Sequence, residues 1–355
     1  MNRFSLTYLG LFLLLLSVLS FFNIIYSYYF NLYLNIDAYI YTLITSLFLG
    51  FTFLTIKKAD GKISIYIKIL TLIIGYLILP LIISIPYYLS IYNISYLNCF
   101  FEAVSGFTST GFTIFENIKH IDESLILWRS SSQWIGGIYF LFSIILLIDI
   151  FDDNLKKSLT NYISFNSAEI FKQSLKILLL YSILTLFLFI VLKLINIRTF
   201  DSFNLSMTII SSGGFLPFNN IDLIINSDLK KIVFSILMLF SYFSLFLTYN
   251  FFYLRKKSLN FFAEDIYLFI YLIFLIIVFF VFFNFDYNFS SILFSIASSI
   301  SNIGISLNNT PNNLFFLFLI LVIIGGSFFS TSSGIRFLKL YLLIKFSINE
   351  LLSHV

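Results

Sequence analysis

Three short strips of Ser, Thr, Asn and Gly carry the most specific chemistry in this chain. They read Ser-Thr-Gly-Phe at 109–112, Ser-Gly-Gly-Phe at 212–215 and Asn-Ile-Gly-Ile at 302–305. Glycine accepts the backbone angles that turn successive carbonyls toward one axis, and such carbonyls replace the water shell of K⁺ as the ion dehydrates. The strips therefore predict oxygen ligands for a monovalent cation. The predicted ligand residues are Ser109, Thr110, Gly111, Ser212, Gly213, Gly214, Asn302, Ile303 and Gly304.

The recurrence of these strips is more informative than any one of them. Their aligned glycines lie 103 (214 − 111) and 90 (304 − 214) residues apart. Each strip follows an apolar segment that is too short to cross a membrane, at 97–107, 200–210 and 289–300. Because non-helical backbone at membrane depth must be buried by protein or line a watery pore, the pattern is typical of re-entrant pore loops.

Composition places these loops in a membrane protein. Of the 355 residues, 59% are hydrophobic and only 11% are charged, against about 25% charged in soluble domains. Apolar runs of spanning length predict eight transmembrane helices. The predicted spans are 6–26, 38–56, 64–89, 125–150, 170–195, 232–253, 266–283 and 314–344. We therefore predict an all-α polytopic membrane protein made of repeated helix–pore loop–helix units.

The Lys and Arg residues predict the orientation. With the N-terminus inside, 14 of them fall at cytoplasmic ends and six on the opposite side. The 14 are Arg3, Lys57, Lys58, Lys62, Lys68, Lys156, Lys157, Lys172, Lys176, Arg255, Lys256, Lys257, Lys339 and Lys345, and the six are Lys119, Arg129, Lys193, Arg198, Lys230 and Lys231. The positive-inside rule then predicts both termini in the cytoplasm and a location in the cytoplasmic (inner) membrane.

Other residue types are sparse, which weakens alternative chemistries. One cysteine, Cys99, excludes a disulfide framework or a thiolate metal cluster. Two histidines leave little for catalysis, and a membrane enzyme would need clustered acids, His or Arg where the loops offer scattered single residues. We expect no enzyme activity, no bound cofactor, and membrane lipid rather than nucleic acid as the surroundings.

Several stretches match a known family. The residues at 100–111 read Phe-Phe-Glu-Ala-Val-Ser-Gly-Phe-Thr-Ser-Thr-Gly, and Leu-Trp-Arg at 127–129 precedes Gln-Trp-Ile-Gly-Gly at 133–137. Ile-Gly-Gly-Ser at 324–327 precedes Ser-Thr-Ser-Ser-Gly-Ile-Arg at 330–336. With the second strip, they resemble the TrkH/KtrB potassium-uptake proteins of the K⁺-channel-like superfamily. The two leading spans fit the TrkH branch.

This resemblance implies a pseudo-fourfold pore that carries K⁺, with H⁺ or Na⁺ coupling left open. It also implies a homodimer and a cytoplasmic nucleotide-binding regulator of the TrkA type. In the third repeat it implies a broken helix whose glycine-rich middle gates the pore. The gating and structural residues expected from these arguments are Glu102, Arg129, Gly325, Gly326, Gly334 and Arg336.

Three charged residues each have a plainer alternative. Intramembrane acids are usually functional, so Glu102 is expected to hold the pore-loop scaffold rather than to sit in a watery vestibule. Arg129 is expected to tie the pore loop rather than to snorkel to the interface. Arg336 is expected to act as an electrostatic barrier below the filter, and the alternative is an ordinary helix-end arginine.

The predicted domains are two N-terminal helices at 1–62 and repeats at 63–155, 156–258 and 259–355, the last with the broken helix. A fourth strip would fall beyond Val355. The missing fourth repeat is then encoded separately, lost in a fragment, or supplied by a neighbouring chain. Asn302-Ile303 and Phe328-Phe329 also depart from the small residues that the family prefers. A conducting subunit and a non-conducting remnant or assembly subunit therefore both remain open.

Overall fold

The computed structural model describes residues 4–55, 64–147, 170–245, 263–283, 288–308 and 315–353. Twelve α-helices and one short strand pair occupy these ranges. The helices are α1 (Phe4–Tyr29), α2 (Ile36–Thr55), α3 (Ile65–Tyr88), α4 (Tyr96–Phe107), α5 (Glu123–Leu146), α6 (Ile170–Leu194), α7 (Thr199–Ser211), α8 (Asp228–Met238), α9 (Ala263–Phe283), α10 (Phe289–Ser301), α11 (Phe315–Ile323) and α12 (Phe337–Ser353). The strands are β1 (Ile324–Gly325) and β2 (Ile335–Arg336), which pair in parallel.

Helices α1, α2, α3, α6 and α9 in the described ranges are long and apolar enough to cross a membrane. They correspond to five of the eight predicted spans. Their outward faces carry large exposed apolar side chains, such as Phe48 on α2 and Phe274 on α9, as expected where lipid is the solvent. The prediction of an all-α, multi-pass membrane protein is therefore confirmed.

Helix α5 corresponds to the predicted span 125–150, but its polar residues face the protein. Ser130, Ser131, Ser132 and Gln133 follow one another in this helix, and all four are buried. A helix that buries this many polar groups needs partners for them within the fold. The end of the predicted span, at 148–150, lies outside the described residues.

The prediction of a continuous helix over 232–253 is wrong for the part of this range that the structure describes. Helix α8 ends at Met238 and a short 3₁₀ turn follows over Leu239–Ser241. The Ser241 and Tyr242 carbonyls accept hydrogen bonds from the backbone N–H groups of Ser332 and Ser327, at 3.1 and 3.0 Å. The helix ends here because these carbonyls accept hydrogen bonds from residues 327 and 332 instead of from the next turn of the helix.

The predicted span 314–344 is broken into two helices, α11 and α12, as the third repeat was expected to be. Helix α12 runs on to Ser353, past the predicted end. Between the two helices, β1 and β2 bring both ends of residues 326–334 together. We call residues 326–334 the arch.

Three units of the same order surround the strips: α3–α4–α5 (repeat 1), α6–α7–α8 (repeat 2) and α9–α10–α11/α12 (repeat 3). The short helix of one repeat packs on the last helix of the repeat before it, α7 on α5 and α10 on α8. Helices α1 and α2 pack on each other, and α1 also packs on α5. The three repeats are therefore arranged side by side, in chain order.

Helix α5 approaches two short helices closely, which explains its Gln-Trp-x-Gly-Gly motif. A Cβ at Gly136 would collide with the Phe107 carbonyl at the end of α4, and one at Gly137 would crowd Ser211 at the end of α7. Trp134 is buried, and its N–H donates to Thr185 Oγ1 at 2.9 Å. The motif therefore packs helices together and is not part of an interfacial belt.

Nine of the 14 basic residues that predicted the orientation lie outside the described ranges: Arg3, Lys57, Lys58, Lys62, Lys156, Lys157, Arg255, Lys256 and Lys257. Of the six assigned to the opposite side, Arg129 is buried. The orientation stays a prediction.

Candidate functional site

The three strips share one backbone conformation. Ser109, Ser212 and Asn302 each follow a short helix with φ of 54°, 53° and 58°. Two residues later, Gly111, Gly214 and Gly304 have φ of 81°, 80° and 75°. Left-handed backbone is open to glycine and, among other residues, most readily to small polar ones such as Asn. The Asn at 302 is thus a conformational equivalent of the serines in the other strips.

A hydroxyl residue six positions before each glycine ties the strip to its helix. Each of these three residues accepts a backbone N–H in the strip with its carbonyl and donates its hydroxyl to a carbonyl just after the glycine. The carbonyl bonds are Thr110 N to Ser105 O (2.9 Å), Gly213 N to Thr208 O (2.9 Å) and Ile303 N to Ser298 O (3.2 Å). The hydroxyl bonds are Ser105 to Phe112 O (2.5 Å), Thr208 to Phe215 O (2.8 Å) and Ser298 to Ile305 O (2.6 Å).

These hydroxyl residues were missed in the sequence analysis. The signal was present, because Ser105, Thr208 and Ser298 repeat with the same spacing as the glycines. Their hydroxyls lie in the apolar-looking segments before the strips, where serine and threonine read as ordinary helix residues. Only the bond to a carbonyl seven residues later shows their role.

The strips lie against one another in chain order. A Cβ built on Gly111 would lie 2.7 Å from the Gly213 carbonyl oxygen, and one on Gly214 would lie 2.6 Å from the Ile303 carbonyl oxygen. Neither position has room for a side chain. A Cβ on Gly304 would meet no described atom within 4 Å. Strip 1 therefore contacts strip 2 in the same way as strip 2 contacts strip 3, and none of the described residues lies at the equivalent place beside strip 3.

Glu102 and Arg129 form a buried ion pair beside strip 1. Arg129 Nε lies 2.8 Å from Glu102 Oε1, and both side chains are almost fully buried. Glu102 also accepts the Ile114 N–H at 2.9 Å and the Thr113 hydroxyl at 3.0 Å. Because the chain after strip 1 is bound directly by this carboxylate, Glu102 acts as a scaffold. Arg129 is likewise buried at the loop and does not snorkel.

The Arg129 guanidinium contacts residues beside strip 1 and beside strip 2. Its Nη2 donates to Thr113 Oγ1 at 2.9 Å, and its centre lies 4.3 Å from the ring centroid of Phe215, just after strip 2. Its Nη1 is buried without a hydrogen-bond partner among the described residues. The face of an aromatic ring is a favourable neighbour for a guanidinium.

Gln133 lies one helical turn after Arg129 and holds strip 2. Its Nε2 donates to the Gly213 carbonyl at 2.5 Å, while its Oε1 accepts the Phe215 N–H at 3.3 Å and the Thr208 hydroxyl at 3.2 Å. The i, i+4 spacing puts Arg129 and Gln133 on one face of α5. One helix thus positions strips 1 and 2 together. No local sequence pattern around Gln133 predicts this role.

The segments that follow the strips are bonded to one another as well. The Ile118 N–H donates to Asn219 Oδ1 at 2.7 Å, and Asn219 Nδ2 donates to Asn117 Oδ1 at 2.8 Å. The segments that follow strips 2 and 3 are joined in the same way, because the Asn308 N–H donates to Asp222 Oδ2 at 2.8 Å. The chain order of the three loops is therefore fixed beyond the strips too.

The arch closes the space on the helix side of strips 2 and 3. Thr331 Oγ1 donates to the Ile210 carbonyl at 2.7 Å and lies 3.5 Å from Ser212 Oγ. Asn302 Nδ2 donates to the Ser333 carbonyl at 3.3 Å. A cavity of about 250 Å³ remains between the arch and the strips. The serine and threonine residues that line it are Thr108, Ser109, Ser211, Ser212, Thr331, Ser332 and Ser333.

The predicted gating glycines allow close backbone contacts at the arch. A Cβ on Gly325 would collide with the Ser333 carbonyl, and one on Gly326 would collide with the Tyr242 carbonyl. Gly334 has φ of 84°, so it is the third position where a larger residue would be strained.

Arg336 gathers the arch around its guanidinium. Its Nη1 donates to the carbonyls of Ser327 and Ser332, at 3.2 and 2.8 Å, and to Ser330 Oγ at 3.1 Å. Phe329 is buried in the core. The Phe328 N–H donates to Glu264 Oε1 at 2.8 Å. The two phenylalanines therefore take part in packing and anchoring the arch.

Comparisons with known proteins agree with this architecture. No protein-family model matches the chain. An uncharacterized cation transporter of Methanocaldococcus jannaschii is 25% identical over 90% of this chain and 68% of that protein. The Trk system potassium uptake protein TrkG of Escherichia coli is 22% identical over 86% of this chain and 67% of that protein.

Among solved structures, the potassium transporter TrkH from Vibrio parahaemolyticus superposes with a TM-score of 0.82. It is 20% identical, and the match covers 98% of this chain and 75% of that one. The chain thus spans about two thirds to three quarters of the proteins that it matches over most of its own length. The chain is thus similar in sequence to Trk system potassium uptake proteins over most of its length, and it shares the fold of the potassium transporter TrkH.

Proposed function

We propose that this chain is a pore-forming subunit that conducts K⁺ across the membrane. One observation carries the proposal: three strips of one backbone conformation lie against each other, above a cavity lined with hydroxyl groups and floored by the arch. Fixed backbone oxygens at the membrane interior suit a dehydrated monovalent cation. The named relatives are potassium or cation transporters.

The ion ligands in this proposal are the backbone and hydroxyl oxygens of the three strips. They comprise Ser109, Thr110, Gly111, Ser212, Gly213, Gly214, Asn302, Ile303 and Gly304. Beneath them, several water molecules, each taking about 30 Å³, fit the 250 Å³ cavity and rehydrate the ion. K⁺ here is cargo and needs no resident cofactor.

The open side of strip 3 is where a fourth strip completes the ring in this proposal. Lipid cannot occupy that place, because backbone groups facing hydrocarbon would lose their hydrogen-bond partners. The assembly further comprises a homodimer and a cytoplasmic nucleotide-binding regulator of the TrkA type. Both termini face the cytoplasm, as the basic residues predict.

Growth in low potassium tests the proposal. A bacterium without its own K⁺ uptake systems would express the chain alone, or with the polypeptide encoded downstream. We expect rescue by the wild type and none by Gly111→Ser or Gly214→Ser, because neither position has room for a side chain. Gly50→Ser in α2 is the matched control, since the atoms nearest to a Cβ there are those of the flexible Leu14 side chain and the Gly10 carbonyl oxygen, at 3.0–3.3 Å.

Two results would contradict the proposal. The first is no rescue in either setting although membrane insertion is verified. The second is equal rescue by the wild type and both strip variants, which would place the K⁺ pathway elsewhere.

A further inference from the structure

The arch separates two cavities. The upper cavity is the space of about 250 Å³ beneath the strips. The lower cavity, of about 430 Å³, lies beyond the arch, between it and helices α3 and α5. Phe328 of the arch lines the lower cavity, together with Arg336 of β2 and Lys339 of α12, which follow the arch in the chain. In the proposed pore, the route of an ion from the strips leads from the upper cavity to the lower one.

Tyr76 of α3 and Phe140 of α5 line both cavities. The edge of the arch therefore passes in front of these two rings. Tyr76 is held firmly, with its ring edge-on to Phe107 at 5.6 Å and to Tyr139 at 5.0 Å between centroids. Two aromatic rings at a constriction disfavour water, and such constrictions close a pore by dewetting.

The arch is attached differently on its two sides. It is hydrogen-bonded to repeat 2, through Thr331 to the Ile210 carbonyl and through the Ser332 N–H to the Ser241 carbonyl, and to repeat 3, through Asn302 Nδ2 to the Ser333 carbonyl. Toward repeat 1, the Arg336 guanidinium lies 5.2 Å from the centroid of the Phe140 ring. Several hydrogen bonds hold the arch on the first side, whereas one cation–π contact is described on the second, so the second is the side on which the arch separates more readily.

We propose that Phe140 and Tyr76 form the fixed wall against which the arch closes, and that Arg336 on the Phe140 ring is the closing contact. This inference rests on the proposed function, because it assigns the exit route of the same pore. In the closed state the guanidinium also places positive charge beside the Phe140 ring, which lines both cavities. Moving the arch away from Phe140 joins the two cavities and withdraws that charge from the route.

Thiol accessibility tests the wall without requiring transport. Replacing Cys99, the only cysteine, by serine leaves a background for Ser211→Cys, whose buried side chain lines the upper cavity. A trimethylammonium methanethiosulfonate reagent is added to the protein in nanodiscs. Adding Phe140→Leu is expected to speed modification by roughly tenfold, the scale on which losing a cation–π contact shifts an equilibrium. Phe140→Trp, which keeps an aromatic face for Arg336, is expected to leave the rate unchanged.

Phe142→Leu is the matched control. Phe142 lies on the same helix and packs on Tyr8 and Phe12, with ring centroids at 5.0 and 5.3 Å, away from the arch. Its replacement is expected to leave the rate at the wild-type value. Equal rates for Phe140→Leu and the wild type would overturn the inference, and so would an increase of the same size in Phe142→Leu.

Flux of K⁺ from proteoliposomes separates the two hypotheses. Faster flux in Phe140→Leu, with Phe142→Leu unchanged, supports both. No flux in any variant, combined with faster thiol modification in Phe140→Leu, would reject the proposed function but would still support closure of the arch against Phe140. Flux that depends on Gly214 but is unchanged in Phe140→Leu would support the proposed pore and would reject Phe140 as the residue against which the arch closes.

Discussion

Helices α5 and α8 occupy equivalent places in repeats 1 and 2, and each supports the short helix of the next repeat. Helix α5 holds its strips with a buried charge and an amide, Arg129 and Gln133. At the same distances from the strip glycine, α8 has Ile232 and Ile236, and the latter is half exposed. Helix α8 instead packs Phe234 on Phe294, with ring centroids 5.7 Å apart.

This difference shows how unequal the repeats are. The junction of strips 1 and 2 is fixed by directional polar bonds that allow one geometry. Strip 3 depends on its own short helix and on the arch, and its far side is open. Substitutions should therefore do most damage around α5 and least beside Gly304.

The largest effect is expected from removing one member of the buried ion pair. Glu102→Ala leaves the Arg129 charge buried and unpaired, which costs about 3–5 kcal/mol. We expect a clear loss of thermal stability in detergent, measured by the unfolding midpoint. Glu102→Leu combined with Arg129→Leu should recover much of this loss, since no uncompensated charge remains.

Glu123→Gln is the control for this ion pair. Its carboxylate accepts Arg198 Nη2 at 2.5 Å, but the arginine side chain is 64% exposed. The hydrogen bond to Glu123 raises the pKa of Arg198, which stays charged at any ordinary pH. An exposed pair contributes about 0–1 kcal/mol. A loss in Glu123→Gln as large as in Glu102→Ala would contradict the importance assigned to burial.

The next effect concerns Gln133. Gln133→Leu removes the donor to the Gly213 carbonyl and the acceptor for the Phe215 N–H, and buried unpaired groups cost about 1–3 kcal/mol each. We expect lower stability and weaker discrimination of K⁺ from Na⁺ in flux assays. Ile236→Leu, at the equivalent position in α8, should change neither. Unaltered selectivity in Gln133→Leu would mean that strip 2 holds its shape without α5.

Removing a hydroxyl tie is expected to cost less, about 1 kcal/mol for one neutral hydrogen bond. Ser298→Ala should disturb ion selectivity more than Thr208→Val, because strip 2 keeps Gln133 as a second support. Ser206→Ala is the control, since that hydroxyl bonds only within its helix, to the Phe203 carbonyl at 2.7 Å. Equal effects of Ser298→Ala and Thr208→Val would contradict the conclusion that strip 2 has a second support that strip 3 lacks.

The sequence predicts the parts of this molecule that depend on local rules. Apolar length identifies the five long helices, and the requirement for left-handed backbone identifies the strip glycines. An acid and an arginine in apolar surroundings also had to find partners, so Glu102 and Arg129 were recognisable as structural residues. Their roles toward an ion remain proposals.

What the sequence did not predict depends on distant contacts. The end of α8 at Met238 follows from carbonyls that the arch binds some ninety positions later. Gln133 is 80 residues from the carbonyl that it holds. Phe140 belongs to an ordinary apolar run, and only the fold places it in front of Arg336. No local pattern encodes such pairings.

The smallest effect is expected at the open side of strip 3. Gly304→Asn introduces a residue that, among non-glycine residues, adopts left-handed backbone comparatively readily, into space with no described atom within 4 Å. Gly214→Asn carries the same backbone preference but would push against the Ile303 carbonyl. In the purified chain, the unfolding midpoint should therefore fall for Gly214→Asn and hold for Gly304→Asn. Repeating the pair in cells, with growth in low potassium as the measurement, asks a different question. If Gly304→Asn is then as damaging as Gly214→Asn, another strip occupies that space in the working assembly, because none of the described residues lies there for the asparagine to strike.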